Sequence, residues 1–126
     1  MKYSILLFAL FFSLVSCEDK NEFLHLSIQN QTNKDFLNMK LYTYVGGGEG
    51  KMLFQDSLII GTVSKNQKFE ADWDLNKLVK SDGSYYLVFK KDTIVLDKKF
   101  GYFTNGILIE KKYNILITET EILVTQ

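Results

Sequence analysis

From Phe23 onward the dominant pattern is one-for-one alternation of apolar and polar side chains. A period of two sends successive side chains to opposite faces of a sheet, so this pattern restricts the chain to an all-β fold. Leu24, Leu26 and Ile28 form one face of a first strand, and His25, Ser27 and Gln29 form the other. The polar run Asn30–Asp35 reads as a turn. Leu37, Met39, Leu41, Thr43 and Val45 then resume the apolar face, with Phe36, Asn38, Lys40, Tyr42 and Tyr44 opposite. These two strands are expected to pair antiparallel.

Gly46-Gly47-Gly48-Glu49-Gly50 comes next. A phosphate-binding loop needs Lys-Ser/Thr after the glycines and a helix whose amides face the anion, whereas Lys51 leads into Met52 and a β pattern. The glycines are therefore expected to form a flexible hairpin tip. A less regular strand over Met52–Ile60 follows, then one carrying Phe69, Ala71 and Trp73 on one face. Leu75–Lys80 has room for one helical turn, and Ser81-Asp82-Gly83-Ser84 closes it before a strand over Tyr85–Lys90. The last third reads as hairpins: Ile94 and Leu96 in a short strand, Phe100–Thr104, Ile107–Glu110, Tyr113–Thr118 and Ile122–Thr125. Asn105-Gly106 suits a type I′ turn because both residues tolerate positive φ. About seven to nine short strands joined by turns predict a single antiparallel β-sandwich, with a barrel as the alternative.

Leu78, Asp82 and Tyr86, with Val88 following, resemble the corner of immunoglobulin-like domains. The resemblance implies a tyrosine hydroxyl that bonds back to upstream backbone. It covers Phe69 to Val88 and departs from the immunoglobulin pattern in lacking both bridge cysteines, while Trp73 lies too close to the corner to be that family's core tryptophan. The entry Asp82-Gly83-Ser84-Tyr85 also resembles that of prealbumin-like sandwiches.

The other strong pattern lies at the start. Lys2 precedes an apolar run, and Tyr3–Val15, about 13 residues, falls short of the roughly 20 a spanning helix needs. It suits the core of a signal peptide, with Ser16 as the small residue before the cut. Leu14-Val15-Ser16-Cys17 resembles the lipobox of bacterial lipoproteins. That resemblance implies diacylglycerol on the Cys17 thiol, removal of residues 1–16 and a mature chain held to a membrane by its acyl groups. Two or more chains anchor stably, one only marginally. Residues 17–22, the cysteine and the run Glu18-Asp19-Lys20-Asn21-Glu22, are expected to be a solvated tether. Acidic residues after the cysteine resemble the surface-export tag of Bacteroidota lipoproteins, which implies an outer-membrane anchor at the cell surface. A periplasm-facing membrane lipoprotein is the alternative. Residues 23–126 then form the sandwich, and the roughly 110 residues left after the cut are enough for one core.

Cys17 is the lone cysteine, so neither a disulfide framework nor a thiolate cluster is open to this chain. Basic and acidic residues balance at 15 each, and every basic residue is Lys. The absence of Arg, with its bidentate fork, argues against a nucleic-acid partner. Lys90-Lys91, Lys98-Lys99 and Lys111-Lys112 read as pairs at strand ends that blunt sheet edges.

Candidate chemistry is sparse. His25, the one histidine, has no nucleophile motif beside it. Asp72-Trp73-Asp74-Leu75-Asn76 begins like a calcium loop, but Lys77 replaces the glycine at the sixth position and Gly83 stands where the bidentate glutamate belongs. No catalytic residue, metal ligand or cofactor is therefore expected, apart from the acyl modification of Cys17. Tyr42 and Tyr44 share one strand face and are the candidate binding residues, because exposed aromatic patches on sandwiches hold sugars or proteins. The alternative for them is burial in a strand covered on both faces. The chain is thus expected to be a non-catalytic, lipid-anchored binding module for glycan or protein. A periplasmic assembly, inhibitory or immunity-like partner is the second reading, and a small hydrolase the weakest.

Overall fold

A computed structural model describes residues 22–126; the expected signal segment, the expected lipidation site Cys17 and residues 18–21 lie outside the described residues. Nine strands follow in order: β1 (Phe23–Asn30), β2 (Phe36–Gly46), β3 (Met52–Val63), β4 (Lys68–Asp74), β5 (Gly83–Lys91), β6 (Ile94–Thr104), β7 (Ile107–Leu108), β8 (Lys112–Ile117) and β9 (Ile122–Thr125). They form a four-stranded sheet in the order β4-β1-β8-β9 and a five-stranded sheet in the order β3-β2-β5-β6-β7. The inner faces of the two share one apolar core, so the all-β sandwich stands. It is mostly antiparallel, with β1 and β8 running parallel.

β1 and β2 do not pair with each other. β1 lies between β4 and β8, and β2 between β3 and β5 in the opposite sheet. The reason is the corner that joins them. Asn30 is fully buried, and its Nδ2 donates to the carbonyls of Lys34 (2.8 Å), Val63 (3.1 Å) and Ser64 (3.2 Å). Its Oδ1 accepts from the backbone N–H and the hydroxyl of Thr32 at 2.9 and 2.8 Å. One amide thus holds the β1–β2 crossover against the β3–β4 crossover. The immunoglobulin arrangement places its first two strands in one sheet, so the strand order here differs from it.

The expected corner tyrosine also plays another part. Tyr86 points out of the five-stranded sheet, and Tyr85 enters the core. Asp82 instead accepts hydrogen bonds from the Thr104 hydroxyl at 2.5 Å and the Asn105 N–H at 3.3 Å. Bonds from Thr104 and Tyr102 hold its carboxyl below the usual range. The hairpin turn it supports has φ of 50° at Asn105 and 73° at Gly106, as the Asn-Gly pair predicted.

Other boundaries moved. Leu75–Lys80 is a tight turn closed by Leu78 N–H to the Leu75 carbonyl (3.1 Å), without a helix. β6 is one strand of 11 residues, which puts Lys98-Lys99 in its middle. The glycine run is the tip of the β2–β3 hairpin, with Gly46 opposite Met52. Glu22, read as the end of the tether, is buried: its Oε2 accepts from Leu108 N–H at 3.2 Å and its backbone bonds Leu75 and Asn76.

Tyr85 stands at the centre of the core. Its ring lies 5.5 to 5.8 Å from those of Phe100, Phe103 and Tyr113, the last across the sheet gap. Burial pushes its phenol well above the usual range, and the hydroxyl has no hydrogen-bond partner among the described residues. The ring cluster requires two glycines. A Cβ on Gly83 would strike the Phe103 ring and the Tyr44 carbonyl, and one on Gly101 (φ +63°) would strike the Tyr113 hydroxyl.

Replacing Asn30 tests the corner. Asn30→Ala strands several buried carbonyls and should cost about 3 kcal/mol or more by urea denaturation, since each unmet group costs roughly 1–3 kcal/mol. Asn30→Asp, similar in shape, should fail comparably because a carboxylate cannot donate to three carbonyls. A loss under about 1 kcal/mol would show that the corner does not depend on this amide.

Glu119 ties the same end together, accepting from Lys91 Nζ at 2.5 Å and Asn33 N–H at 2.9 Å. The Lys91 bond, then the Asn33 bond, hold its carboxyl below the usual range. A group with a depressed folded pKa stabilises above its unfolded pKa, and that contribution is lost as pH falls through the folded value. The urea midpoint should therefore drop on the acid side, below about pH 4.5, and Glu119→Gln should flatten part of that drop. An unchanged acid limb in the variant contradicts this assignment.

Candidate binding face

Register shifts in β2 and β3 set the outer face of the five-stranded sheet. The alternation expected along β2 breaks between Leu37 and Lys40, where Asn38 takes φ +52° and adds an extra residue. Such a bulge reverses the phase of the strand. Phe36 therefore turns into the core beside Met39, and Leu37 is 41% exposed, the reverse of the alternation expected there. Beyond the bulge the expected phase holds. Leu41, Thr43 and Val45 are buried, and Tyr42 and Tyr44 face outward, each half-buried.

A further shift lies in β3, beyond the one that leaves Ile60 extra between Gly61 and Ile59. Thr43 pairs with Asp56 but Tyr44 with Phe54, leaving Gln55 as the extra residue. The buried Thr43 hydroxyl accepts the Asp56 N–H at 3.1 Å and holds this bulge. Phe54 is thereby set on the outer face between the tyrosines, 48% exposed. Its ring centroid lies 5.0 Å from Tyr42, 6.4 Å from Tyr44 and 5.8 Å from Tyr86. Lys99 Nζ stands 5.9 Å from the centre of the Tyr44 ring, within cation–π range. Asp97, opposite Val88, lies near Tyr86, whose phenol is pushed up first by burial and then by that carboxylate.

Tyr42 and Tyr44 thus share one face, as their spacing predicted, on a strand flanked by β3 and β5. Phe54 and Tyr86 complete the group. The sequence singles out neither as a binding residue: Phe54 lies in the less regular strand, and Tyr86 occupies the position that resembles a corner tyrosine. A signal for Tyr86 was present, because Tyr85, Leu87 and Phe89 alternate with it and all three are buried.

The four-stranded sheet presents a polar outer face. His25 Nδ1 donates to Asp72 Oδ1 across the β1–β4 pair, and both side chains are more than half exposed. They line an open groove of about 530 Å³ with Ser27, Glu70 and Lys112. A nucleophile–base–carboxylate relay would require Ser27 to bond His25, and no such bond is present among the described residues. Asp74, the other aspartate of the calcium-like run, accepts from Asn76 N–H (2.9 Å) and Asn76 Nδ2 (2.7 Å) and closes a turn after β4. No group of three or more His, Cys, Asp or Glu is placed to hold a metal ion among the described residues.

No family model matches the chain. No curated protein matches it either. Among solved structures, an NMR structure of a protein from Eubacterium rectale is similar over 87% of this chain and 92% of that one, at 15% identity and a TM-score of 0.42.

The aromatic group should behave as surface. Phe54→Ala removes cross-strand ring contacts worth roughly 0.2–1 kcal/mol each, so a stability loss of about 1 kcal/mol is expected in urea. Tyr85→Ala in the core should cost roughly 3–5 kcal/mol by the same measurement. Equal losses at the two positions would make the outer cluster a second core.

Proposed function

We propose that this protein is a non-catalytic, lipid-anchored envelope protein whose sandwich serves as a surface binding module for glycan or protein. The observation that carries the reading is the aromatic group on the outer face of the five-stranded sheet, which no other element covers among the described residues. Rings held by strands offer large contact area at little entropic cost. The flanking Lys99 and Asp97 supply a donor and an acceptor of the kind that orient sugar hydroxyls or a polar rim. A solvent-open His25–Asp72 groove in which no nucleophile is bonded to the histidine supports binding over hydrolysis.

The anchor in this proposal is Cys17, from the resemblance of Leu14-Val15-Ser16-Cys17 to a lipobox, and the acidic residues behind it support display at the cell surface from the outer membrane. The strand order, with β1 between β4 and β8, favours a prealbumin-like relationship for the sandwich over an immunoglobulin-like one.

Two measurements test the reading together. Protease added to intact cells should cleave the native protein, with a lysed-cell control for cleavability and Cys17→Ala as the unanchored control. Affinity electrophoresis through envelope and host polysaccharides, with a parallel cross-linking capture of surface proteins, should show retention that Tyr42→Ala/Tyr44→Ala weakens at least tenfold without a matching loss of fold, about 1.4 kcal/mol of binding. Unchanged retention in the double variant removes the aromatic face from the proposal. Protection until lysis transfers the protein to the periplasm.

A further inference from the structure

We propose that the end of the sandwich around Glu22 is a membrane-docking surface, so that the domain rests on the bilayer that holds its anchor. The inference rests on the lipidation of Cys17 proposed above, and the length of chain between anchor and domain carries it. From Cys17 to Glu22 are five residues, which span at most about 18 Å when fully extended. Glu22 allows no more slack, because it is clamped at both backbone and side chain. Its N–H donates to Asn76 Oδ1 (2.8 Å), its carbonyl accepts from Leu75 N–H (2.8 Å), and its carboxylate accepts from Leu108 N–H. Lys111 Nζ lies 3.9 Å from the same carboxylate.

These bonds identify one pole of the fold: the start of β1, the β4–β5 turn and the residues flanking β7. The β6–β7 turn packs there too, since a Cβ on Gly106 would lie 3.2 Å from the carbonyl oxygens of Leu78 and Val79. That pole presents Phe23, Val79, Ile107 and Ile109 to solvent, with Ile109 53% exposed. Lys77 and Lys80 project from the same turn and form no ion pair among the described residues. The neighbouring carboxylates Asp74 and Asp82 accept hydrogen bonds from Asn76 and from Thr104 with Asn105 and keep their charge, and Glu110 stands next to Ile109, so the rim of the pole carries both signs.

Apolar side chains of this size suit the headgroup boundary, where an amphipathic surface sinks about 5–10 Å, and lysine stems extend along it with their charges in water. The exposed Ile94 and Val95 cannot serve the same bilayer. They sit at the other end of β6, about 33 Å from Thr104 at the usual strand rise. Docking by the near pole stands the two sheets upright on the membrane, which leaves the aromatic face open to the side.

The test uses lipidated full-length protein in phosphatidylethanolamine–phosphatidylglycerol vesicles. Cys17 is the chain's only natural cysteine, so acylation leaves an introduced thiol as the sole site for an environment-sensitive fluorophore. Ile109→Cys and, as a second site at the same pole, Lys80→Cys are compared with Thr93→Cys in the far β5–β6 turn. Blue-shifted emission and several-fold slower bleaching by an aqueous reductant at the first two positions, but not at Thr93, are expected. Bleaching at equal rates at all three positions on protein of confirmed acyl mass overturns the docking while leaving the anchor intact. Intact mass without acyl groups overturns the anchor, and the docking falls with it.

Discussion

One buried amide governs how this chain leaves one sheet and enters the other. Asn30 ends β1, and its side chain uses both donors and its acceptor on backbone and hydroxyl groups of two crossovers far apart in sequence. A buried polar group left unpaired is costly, while a fully paired one admits a single arrangement of its partners. The β1–β2 and β3–β4 corners are therefore held to each other, at the end of β1 where it lies between β4 and β8. At the same end, Glu119 joins the β8–β9 turn to Asn33 and Lys91.

With the sheets so placed, the interior is filled by rings that touch across the gap, and the backbone yields to them. Phe100 and Tyr113 meet at 5.1 Å, edge to face, a geometry favoured by the ring quadrupoles. Gly83 and Gly101 are absences of side chain that let Tyr85, Phe103 and Tyr113 approach. The opposite pole is closed by Glu22, whose buried carboxylate satisfies the Leu108 amide.

The two outer faces carry different chemistry. One is polar, with His25 and Asp72 paired across strands, and the other is aromatic, built around Phe54. Bulges decide the second of these. Without the extra residues at Asn38 and Gln55, the alternation of β2 and β3 would place different side chains outward. Bulges also bend the long edge strand β3 away from regular pairing with other chains. The face and the pole near Glu22 are at right angles in the proposed arrangement, so anchoring and binding use separate surfaces.

The sequence by itself determined the fold class, most strand positions, the Asn105-Gly106 turn and the shared face of Tyr42 and Tyr44, while leaving open whether that face is covered. These are local properties, set by alternation and by which residues tolerate positive φ. The lipobox resemblance of Leu14 to Cys17 is local in the same way. Only the tertiary structure decided which strands are neighbours, because pairing depends on contacts such as Asn30 with Val63 and Glu22 with Leu108 that join distant segments. It also decided the reversal of Phe36 and Leu37, since one extra residue at Asn38 leaves the composition of the strand unchanged while inverting its faces. The aromatic group belongs to both. Two of its rings were legible from their spacing along one strand, and Phe54 and Tyr86 joined them only when β3 and β5 were laid on either side of β2.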